Sequence, residues 1–306
     1  MIPVVAVVGP TASGKTSLAL ALAERFPAEI VSSDSALIYR GADVGTAKPT
    51  AEERARVPHH LLDLRELDQS FSLAEFQSLA GQAVRDIHAR GRLPLVVGGT
   101  GLYVRGLLQG YELPEAPPDP DLRLRLNATP LPELVEQLLR LDPAAERLDL
   151  KNPRRVARAL EVCLTTGQPF SALQRKRDSG LRSLLLGIRW SREELHRRIA
   201  ARTRQMVQEG FVEEVRDLAE KGYGPHLRRL KLIGYAEVLD VVEGRLSLVE
   251  ALDRIELVTR QYARRQMTWF RREREIVWLE APGDLLPEAG HHVERFLGEG
   301  EETDKC

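Results

Sequence analysis

The sequence has few cysteines and no long apolar run. Its 306 residues include two cysteines, Cys163 and Cys306, too few for a disulfide framework or a cysteine-based zinc site. Cys163 lies in an apolar helical pattern, so we expect a core thiol. No apolar stretch reaches the ~20 residues that a membrane-spanning helix needs. Because the N-terminal run IPVVAVV also lacks the basic flank of a signal peptide, we expect a cytoplasmic protein without a membrane association.

The chain also has almost no net charge, and this balance taken alone argues against binding to nucleic acid. The charges are unevenly distributed, however. Residues 151–205 hold fourteen Lys/Arg against four Asp/Glu, and the segment from Glu280 onward holds eight acidic residues against two basic ones. A second basic cluster lies at 260–274. Arginine, which binds phosphates bidentately, dominates both basic stretches, and they fit either RNA binding or a solvated surface.

Strand and helix patterns alternate along much of the chain. Apolar runs predict strands at 2–8, 29–33, 93–99, 183–190 and 276–280. Helical spacing predicts helices at 15–26, 71–91 and 248–272, and a long helix from a Ser191–Glu194 capping box through Val215. Such alternation is typical of a parallel sheet with helices on both faces. We therefore predict an α/β fold with a parallel sheet core like that of the P-loop NTPases.

This alternation is interrupted in the middle of the chain. Residues 112–121 hold four prolines, which neither a helix interior nor a central strand tolerates. Only helical patterns follow until the strand predicted at 183–190. We therefore predict a core made of residues 1–113 and 183–306, with an all-helical insertion at 114–182.

The segment GPTASGKTS at 9–17 matches the pattern G-x-x-x-x-G-K-[ST] of a phosphate-binding loop. Gly9 and Gly14 permit positive φ and a close approach to phosphate oxygens. Lys15 supplies a positive charge, and Thr16 a hydroxyl that can ligate Mg²⁺. The N-terminus of the following helix adds the positive end of its dipole. The segment therefore predicts a phosphate site.

The loop alone does not identify its ligand. A hydrolytic nucleotidase needs an acid at the end of a later strand for the magnesium shell, but the strand at 93–99 ends in GGTGLY. Asp34 follows the strand at 29–33, and ligands of parallel sheets lie at the carboxyl ends of strands. Two enzyme classes remain open: a kinase that binds ATP, or a transferase whose donor is a diphosphate ester. In both, Asp34 takes a proton from the acceptor. A non-catalytic RNA-binding protein is a weaker alternative, because Lys15, Thr16 and Asp34 are all present.

Two pairs of neighbouring residues could suggest additional sites. His59 and His60 could bind a metal, but the sequence offers no third ligand nearby, so we expect structural roles. Trp269 and Phe270 could stack on RNA bases. Because consecutive residues of a helix point in different directions, we expect one of the two to lie in the core.

Longer motifs of the chain resemble the tRNA dimethylallyltransferases (isopentenyl-diphosphate:tRNA transferases) in their shorter, bacterial form. The resemblance covers nearly the whole chain. Its motifs are GPTASGKT at 9–16, DSALIYRGADVGTAKP at 34–49, PHHLLD at 58–63, VVGGTGLY at 96–103, RRVARALEV at 154–162, RIAARTRQMVQEGFVEEV at 198–215, LIGYAE at 232–237 and TRQYARRQMTWFR at 259–271.

The resemblance implies transfer of a dimethylallyl group from dimethylallyl diphosphate to N6 of adenosine 37 of tRNA, with Mg²⁺ as cofactor. It implies Asp34 as the general base and Thr11 as a neighbour of the reacting centre. The residues implied to hold the diphosphate are Gly9, Thr11, Ala12, Ser13, Gly14, Lys15, Thr16 and Arg202, with Thr16 as metal ligand. The residues implied to contact tRNA are Asp34, Ser35, Ala36, Leu37, Thr100, Arg123, Arg154, Arg155, Arg158, Lys231, Gly234, Tyr235, Arg264, Arg265, Gln266, Trp269 and Arg271. The expected partners are dimethylallyl diphosphate and the anticodon stem-loop of tRNA, bound by a monomer.

Overall fold

The computed structural model describes residues 1–112, 119–173, 175–176 and 178–303. The chain divides into two compact units, one formed by Met1–Leu108 with Gly180–Cys306 and the other by Gln109–Ser179. These boundaries lie a few residues from those predicted for the insertion. Within the described ranges, no helix combines the length and apolar character needed to cross a membrane.

Strands from both ends of the chain build the sheet of the first unit. The strands are β1 (Ile2–Val8), β2 (Ala28–Ser32), β3 (His59–His60), β4 (Leu93–Gly98), β5 (Tyr111–Glu112), β6 (Arg175–Lys176), β7 (Leu181–Arg189) and β8 (Ile276–Glu280). Six of them form one sheet in the order β3-β2-β4-β1-β7-β8, with each neighbouring pair parallel. The predicted α/β fold with a parallel sheet is confirmed.

Helices follow most of these strands. They are α1 (Lys15–Arg25), α2 (Ala51–Arg56), α3 (Leu73–Ala89), α4 (Gly101–Leu108), α5 (Pro120–Ala128), α6 (Leu131–Leu141), α7 (Pro153–Thr166), α8 (Phe170–Leu173), α9 (Arg192–Gln208), α10 (Phe211–Glu220), α11 (Gly224–Leu230), α12 (Tyr235–Val242), α13 (Leu248–Phe270) and α14 (Leu286–Thr303). A 3₁₀ helix covers Pro143–Arg147.

The central strand β1 is buried on both faces, and its side chains alternate between two layers of helices. Val4, Ala6 and Val8 belong to a cluster with residues of α3 and α4. Val5 and Val7 belong to another cluster with residues of α1 and α14. A strand covered on both sides must be apolar at every position, which explains the continuous run IPVVAVV.

The helix predicted from Ser191 through Val215 is wrong in its length. It ends at Gln208, and α10 begins as a separate helix after Gly210, whose φ is 98°. That left-handed conformation is accessible to glycine and stops a right-handed helix. Ser191 accepts a hydrogen bond from the N–H of Glu194, at 3.2 Å, which is the first half of the predicted capping box.

The second unit is built mainly from helices α5 to α8 around a small apolar core. Leu134, Leu138 and Leu160 are buried there, and Cys163, 5% exposed, is a core thiol as expected. The prediction of helices alone is wrong at 175–176, which pair antiparallel with 111–112 near the two ends of the unit. This pairing satisfies backbone groups where the chain enters and leaves. Most of the proline-rich segment, 113–118, lies outside the described residues.

Candidate active site at the phosphate loop

Three neighbouring strands of the sheet, β2, β4 and β1, end at the same edge. The phosphate loop follows β1, Asp34 follows β2, and Thr100 follows β4. The N–H of Ser35 donates to Oγ1 of Thr100, at 3.2 Å, and the N–H of Thr100 donates to the carbonyl of Ser33, at 3.3 Å. The fold therefore brings Asp34 and Thr100 beside the phosphate loop, as expected for the carboxyl ends of parallel strands.

The phosphate loop depends on glycine at two points. Gly9 has a φ of 148°, and a Cβ at this position would lie 3.1 Å from the carbonyl oxygen of Ile188. Gly14, with a φ of 91°, is the N-cap of α1. Lys15 and Thr16 begin that helix, so the loop delivers its lysine and hydroxyl at a helix N-terminus, where anions bind favourably.

Side chains that follow β7 hold this loop in its shape. Trp190 Nε1 donates to the carbonyl of Ser13 at 2.9 Å, and Arg198 Nε donates to the carbonyl of Ala12 at 2.8 Å. The guanidinium of Arg198 also lies over the Trp190 ring, 4.4 Å from its centroid. Neither residue was predicted from the sequence. Arg198 precedes Arg202 by four residues, and this helical spacing was a signal that both lie on one face.

Gln266 links the phosphate loop to the loop after β4. Its Oε1 accepts the N–H of Thr11 at 2.9 Å, and its Nε2 donates to the carbonyl of Gly99 at 2.9 Å. A Cβ added to Gly99 would lie 2.0 Å from that Nε2. Gln266 is 5% exposed, so its side chain supports the loops from within the protein. Its contact with tRNA stays a prediction.

Lys15 and Arg202 share the site with Asp34. Lys15 Nζ donates to the carbonyl of Pro10 at 2.6 Å. Burial lowers the pKa of Lys15 to about 8, the Asp34 carboxylate opposes this shift, and Arg202 adds a smaller lowering. Burial also lowers the pKa of Arg202, again against the effect of Asp34. Lys15 and Arg202 therefore both interact with the Asp34 carboxylate, and burial weakens the hydration of both cations. Two such cations side by side can bind a polyanion.

Three cavities meet around these residues. The first, of about 360 Å³, is lined by Thr11, Asp34 and Arg202 and by apolar groups that include Phe71, Met206, Phe211 and Ile255. The second, an open cleft of about 840 Å³, follows residues 12–17 and reaches Arg202. The third, of about 90 Å³, is lined by Lys15, Thr16, Asp34 and Arg202. A cavity with a partly apolar wall beside a cationic cleft suits a ligand with an apolar end and an anionic end.

Two tyrosines that were not predicted from the sequence also line the first cavity. Burial raises the pKa values of Tyr103 and Tyr262 to about 12, so both phenols are neutral at physiological pH. The Tyr103 ring stacks on Phe76 with the ring centroids 4.1 Å apart. Tyr262 precedes Gln266 by one helical turn, and that spacing could have indicated it.

The predicted tRNA contacts of the first unit differ in exposure. Ala36 donates its N–H to Oδ1 of Asp34 at 2.9 Å, which orders the loop 34–37. Lys231 is exposed and lines the first cavity. Gly234 and Tyr235 are buried, and the Tyr235 hydroxyl donates to Glu214 at 2.7 Å.

Helix α13 carries the remaining predicted tRNA contacts of this unit. Arg264, Arg265 and Arg271 are exposed. Phe270, 1% exposed, lies in the core, as expected for one residue of the aromatic pair. Trp269 is half-buried and packs against Gly101, where an added Cβ would lie 2.1 Å from Cδ1 of the indole.

Four predicted tRNA contacts lie in the second unit. Arg154 and Arg155 are exposed in the first turn of α7. Arg123 and Arg158 both donate to Glu161, at 2.6 and 2.7 Å. Although burial alone would raise it, hydrogen bonds from Arg158 and Arg123 hold the pKa of Glu161 below its ordinary value. All four arginine side chains thus reach solvent, and a buried carboxylate orients two of them, Arg123 and Arg158.

The two adjacent histidines make contacts within the protein. His60 Nε2 lies 2.7 Å from Oε2 of Glu29, and His59 Nδ1 lies 2.7 Å from the carbonyl oxygen of Val57. In the part of the chain that the structure describes, no three His, Cys, Asp or Glu side chains form a group that could hold a metal ion. Beside the phosphate loop, the side-chain oxygens that could contribute to a metal site belong to Thr16, which is exposed, and to Asp43 and Glu53, which line the same cleft.

Fold and site together define an α/β protein of the P-loop type, with Asp34 and Arg202 beside its glycine-rich loop. A family model described as IPP transferase matches residues 37–273. The chain therefore belongs to the IPP transferase family.

Individual relatives agree with this assignment. The chain is 46% identical to a tRNA dimethylallyltransferase of Thermomicrobium roseum over 97% of this chain and 92% of the relative. The solved tRNA isopentenylpyrophosphate transferase of Bacillus halodurans is 38% identical, covers all of both chains and has a TM-score of 0.74. A solved eukaryotic dimethylallyltransferase acting on tRNA is 27% identical over 92% of this chain and 74% of that one, with a TM-score of 0.77.

Proposed function

We propose that this chain transfers the dimethylallyl group of dimethylallyl diphosphate to N6 of adenosine 37 of tRNA and releases diphosphate. Membership of the family supports prenyl transfer to tRNA. The observation that carries the proposal is the junction of cavities at Asp34 and Arg202, where an apolar cavity adjoins the phosphate-loop cleft. One ligand can therefore place its prenyl group and its diphosphate in two different environments.

The diphosphate of the donor binds at the start of α1. Lys15, Arg202 and the helix N-terminus supply positive charge on the side where the leaving group accumulates negative charge. The five-carbon prenyl group occupies the cavity of about 360 Å³, against the apolar side chains of Phe71, Met206, Phe211 and Ile255 that form part of its wall. This arrangement favours ionisation of the donor.

The residues beside the loop fit a magnesium ion that is shared with the substrate. The Thr16 hydroxyl is exposed in the cleft, and Asp43 and Glu53 are carboxylates that line it. Mg²⁺ commonly takes one or two protein oxygens and completes its shell with phosphate oxygens and waters. The chemistry that bound Mg²⁺ supplies is neutralisation of charge on the departing diphosphate.

Asp34 takes the proton in the transfer step. The adenine must leave its stack to enter the cavity, as bases do in other base-modifying enzymes. The N6 lone pair forms a bond to C1 of the prenyl group, the C1–O bond breaks, and its electron pair leaves with the diphosphate. The N6 proton moves to the Asp34 carboxylate, which lines the same cavity as Thr11. Tyr103 and Tyr262 stay neutral there and add no competing charge.

Exposed arginines on two separate helices supply the phosphate contacts to the anticodon stem-loop. Arg154 and Arg155 lie on α7, and Arg264, Arg265 and Arg271 lie on or directly after α13. Contacts of this kind position an RNA without reading its sequence.

A monomer suffices for the chemistry, because the phosphate loop, Asp34 and Arg202 come from one chain. Sedimentation analysis of the purified protein tests whether it is a monomer. Its expected cytoplasmic location stays a prediction.

The decisive experiment incubates the protein with radiolabelled dimethylallyl diphosphate and unmodified tRNA that contains A37. We expect labelled tRNA, and mass spectrometry of its nucleosides should show N6-isopentenyladenosine. A tRNA with G37 is the matched control and should stay unlabelled, and EDTA should abolish labelling if Mg²⁺ takes part. Unlabelled A37 tRNA with folded protein, or phosphoryl transfer from ATP in its place, would contradict the proposal.

A further inference from the structure

A short loop segment forms a wall common to all three cavities. We call residues 43–47 the wall segment. Gly45 and Thr46 line the apolar cavity, Asp43, Val44 and Ala47 line the cleft, and Thr46 and Ala47 line the small cavity. The shape of the donor site therefore depends on the position of this segment as much as on the phosphate loop.

One carboxylate from a distant helix holds the wall segment. Oε2 of Glu214 accepts the N–H groups of Asp43 and Val44, at 2.9 and 2.7 Å. Its Oε1 accepts the N–H of Gly45 at 3.2 Å and the hydroxyl of Tyr235 at 2.7 Å. Three consecutive backbone donors thus converge on a single side chain in the first turn of α10.

The wall segment is also pressed against two aromatic rings. A Cβ added to Gly45 would lie 2.1 Å from Cε2 of Phe211 and 2.7 Å from Cε2 of Tyr235. The glycine therefore allows a backbone-to-ring contact that no other residue permits. This contact leaves the segment no room to move toward α10, while the Glu214 bonds prevent its movement away from that helix.

Lys48 anchors the chain directly after the wall segment. Its Nζ lies 2.6 Å from the carbonyl oxygen of Tyr39, from Oδ1 of Asp43 and from Oδ1 of Asp63. The Lys48 side chain is 1% exposed, so its ammonium group is shielded from water, whereas the Asp43 side chain is 56% exposed. The segment is thus bound at its start by Glu214 and at its end by a buried ammonium group.

We propose that Glu214 is a positioning residue for the prenyl donor. Glu214 does not itself line any of the three cavities described, and it acts through the wall segment, which does. Loss of its bonds frees residues 43–45 to leave the position in which they enclose the diphosphate and the prenyl group. This inference rests on the proposed function, because it names the donor as the ligand whose affinity depends on the segment.

An amide cannot replace the carboxylate at this position. The two oxygens of Glu214 accept from three N–H groups and one hydroxyl. A glutamine offers one oxygen and one NH₂ group, and the NH₂ can accept none of these bonds. At least one backbone donor therefore loses its partner in Glu214→Gln, although the size and shape of the side chain are retained.

The test compares steady-state kinetics of Glu214→Gln with those of Glu213→Gln. Glu213 is the neighbouring residue, and its only described ion pair is a 3.9 Å contact with Arg216 at the surface. We expect the KM for dimethylallyl diphosphate to rise about tenfold in Glu214→Gln, since hydrogen bonds to a charged acceptor are removed. The KM for tRNA should stay at the wild-type value, and Glu213→Gln should match wild type for both substrates. A change in stability alone does not produce this split between substrates.

Tyr235→Phe is a second variant that decides the matter if Glu214→Gln does not fold. It removes one bond to Oε1 of Glu214 and keeps all three backbone bonds, so the KM for dimethylallyl diphosphate should rise above the wild-type value and by more than the KM for tRNA. The role of Glu214 would be overturned if the folded variants kept the wild-type KM for dimethylallyl diphosphate. It would also be overturned if their KM values for dimethylallyl diphosphate and for tRNA rose equally. Calorimetric binding of inorganic pyrophosphate separates the two proposals. If wild type transfers no prenyl group, the proposed function fails, while weaker pyrophosphate binding by Glu214→Gln than by Glu213→Gln still supports the positioning role.

Discussion

The basic residues at the phosphate loop and those in the second unit differ in their exposure to water. Lys15 and Arg202 are half-buried, and this burial lowers both pKa values. Arg154 and Arg155 are exposed in the first turn of α7. Poorly hydrated cations that the fold holds in place suit a small anion bound at one geometry. Hydrated cations on a surface suit the phosphates of a large partner. Burial therefore separates two kinds of phosphate binding that the sequence shows as one excess of arginine.

The largest effect is expected at Asp34, whose carboxylate interacts with Lys15 and Arg202. Asp34→Asn should lower kcat by about 10²–10⁴-fold, the usual range for loss of a general base. The binding of tRNA should change little, because the substitution leaves the exposed arginines in place. Pre-steady-state transfer and filter binding measure the two quantities. Asp253→Asn, at an exposed position on α13, is the control, and near-wild-type transfer by Asp34→Asn would remove Asp34 from its proposed role.

The next effect concerns the half-buried guanidinium of Arg202. Arg202→Gln should raise the KM for dimethylallyl diphosphate about 10- to 100-fold, because charge-assisted bonds to the leaving group are removed. Arg197→Gln lies on the same helix, but its side chain is 75% exposed and pairs with Glu194, so it should behave as wild type. Equal effects of the two substitutions on the donor KM would show that burial does not distinguish these arginines.

A pH profile tests the lysine of the loop. Because burial lowers the pKa of Lys15 to about 8, its charge is present below that pH and disappears above it. The value of kcat/KM for the donor reports the free enzyme and should fall about tenfold per pH unit above 8. Lys15→Arg keeps its charge at these pH values and should remove this decline. A wild-type profile that is flat up to pH 10 would contradict the effect of burial.

The smallest effect is expected at the exposed arginines. Arg154→Gln combined with Arg155→Gln should weaken tRNA binding several-fold. The slope of log Kd against log salt should fall by ~0.7–0.9 for each tRNA phosphate that the double variant no longer neutralises. Pyrophosphate binding should be unchanged. Arg140→Gln, an exposed position of α6 in the same unit, is the control. An unchanged salt slope in the double variant would mean that these arginines only solvate the surface.

Much of the core was predictable because local patterns decide it. The strand at 276–280 has the predicted bounds, and Ser72 caps α3 with Glu75 in a complete capping box. The phosphate loop and Asp34 were predictable as neighbours because carboxyl ends of parallel strands share an edge. The break at Gly210 was missed, since a glycine inside a helical pattern does not reveal its φ.

The supports of the site were not predictable from local patterns. Gln266 and Arg198 contact the phosphate loop from positions 255 and 186 residues away in sequence. Glu214 likewise contacts the wall segment from a position far away in sequence. All three lie in segments that resemble family motifs, but their supporting roles follow from which backbone groups they reach.

The sequence by itself determined the alternation of strands and helices and the position of the phosphate-loop motif, and it named candidates for the reacting groups, because those depend on short-range periodicity and on residue chemistry. Tertiary structure decided which charges are buried, where the apolar cavity meets the cleft, and which distant side chains hold the loops. These properties arise from packing between elements far apart in the chain, and packing sets both the hydration of a charge and the position of a backbone donor.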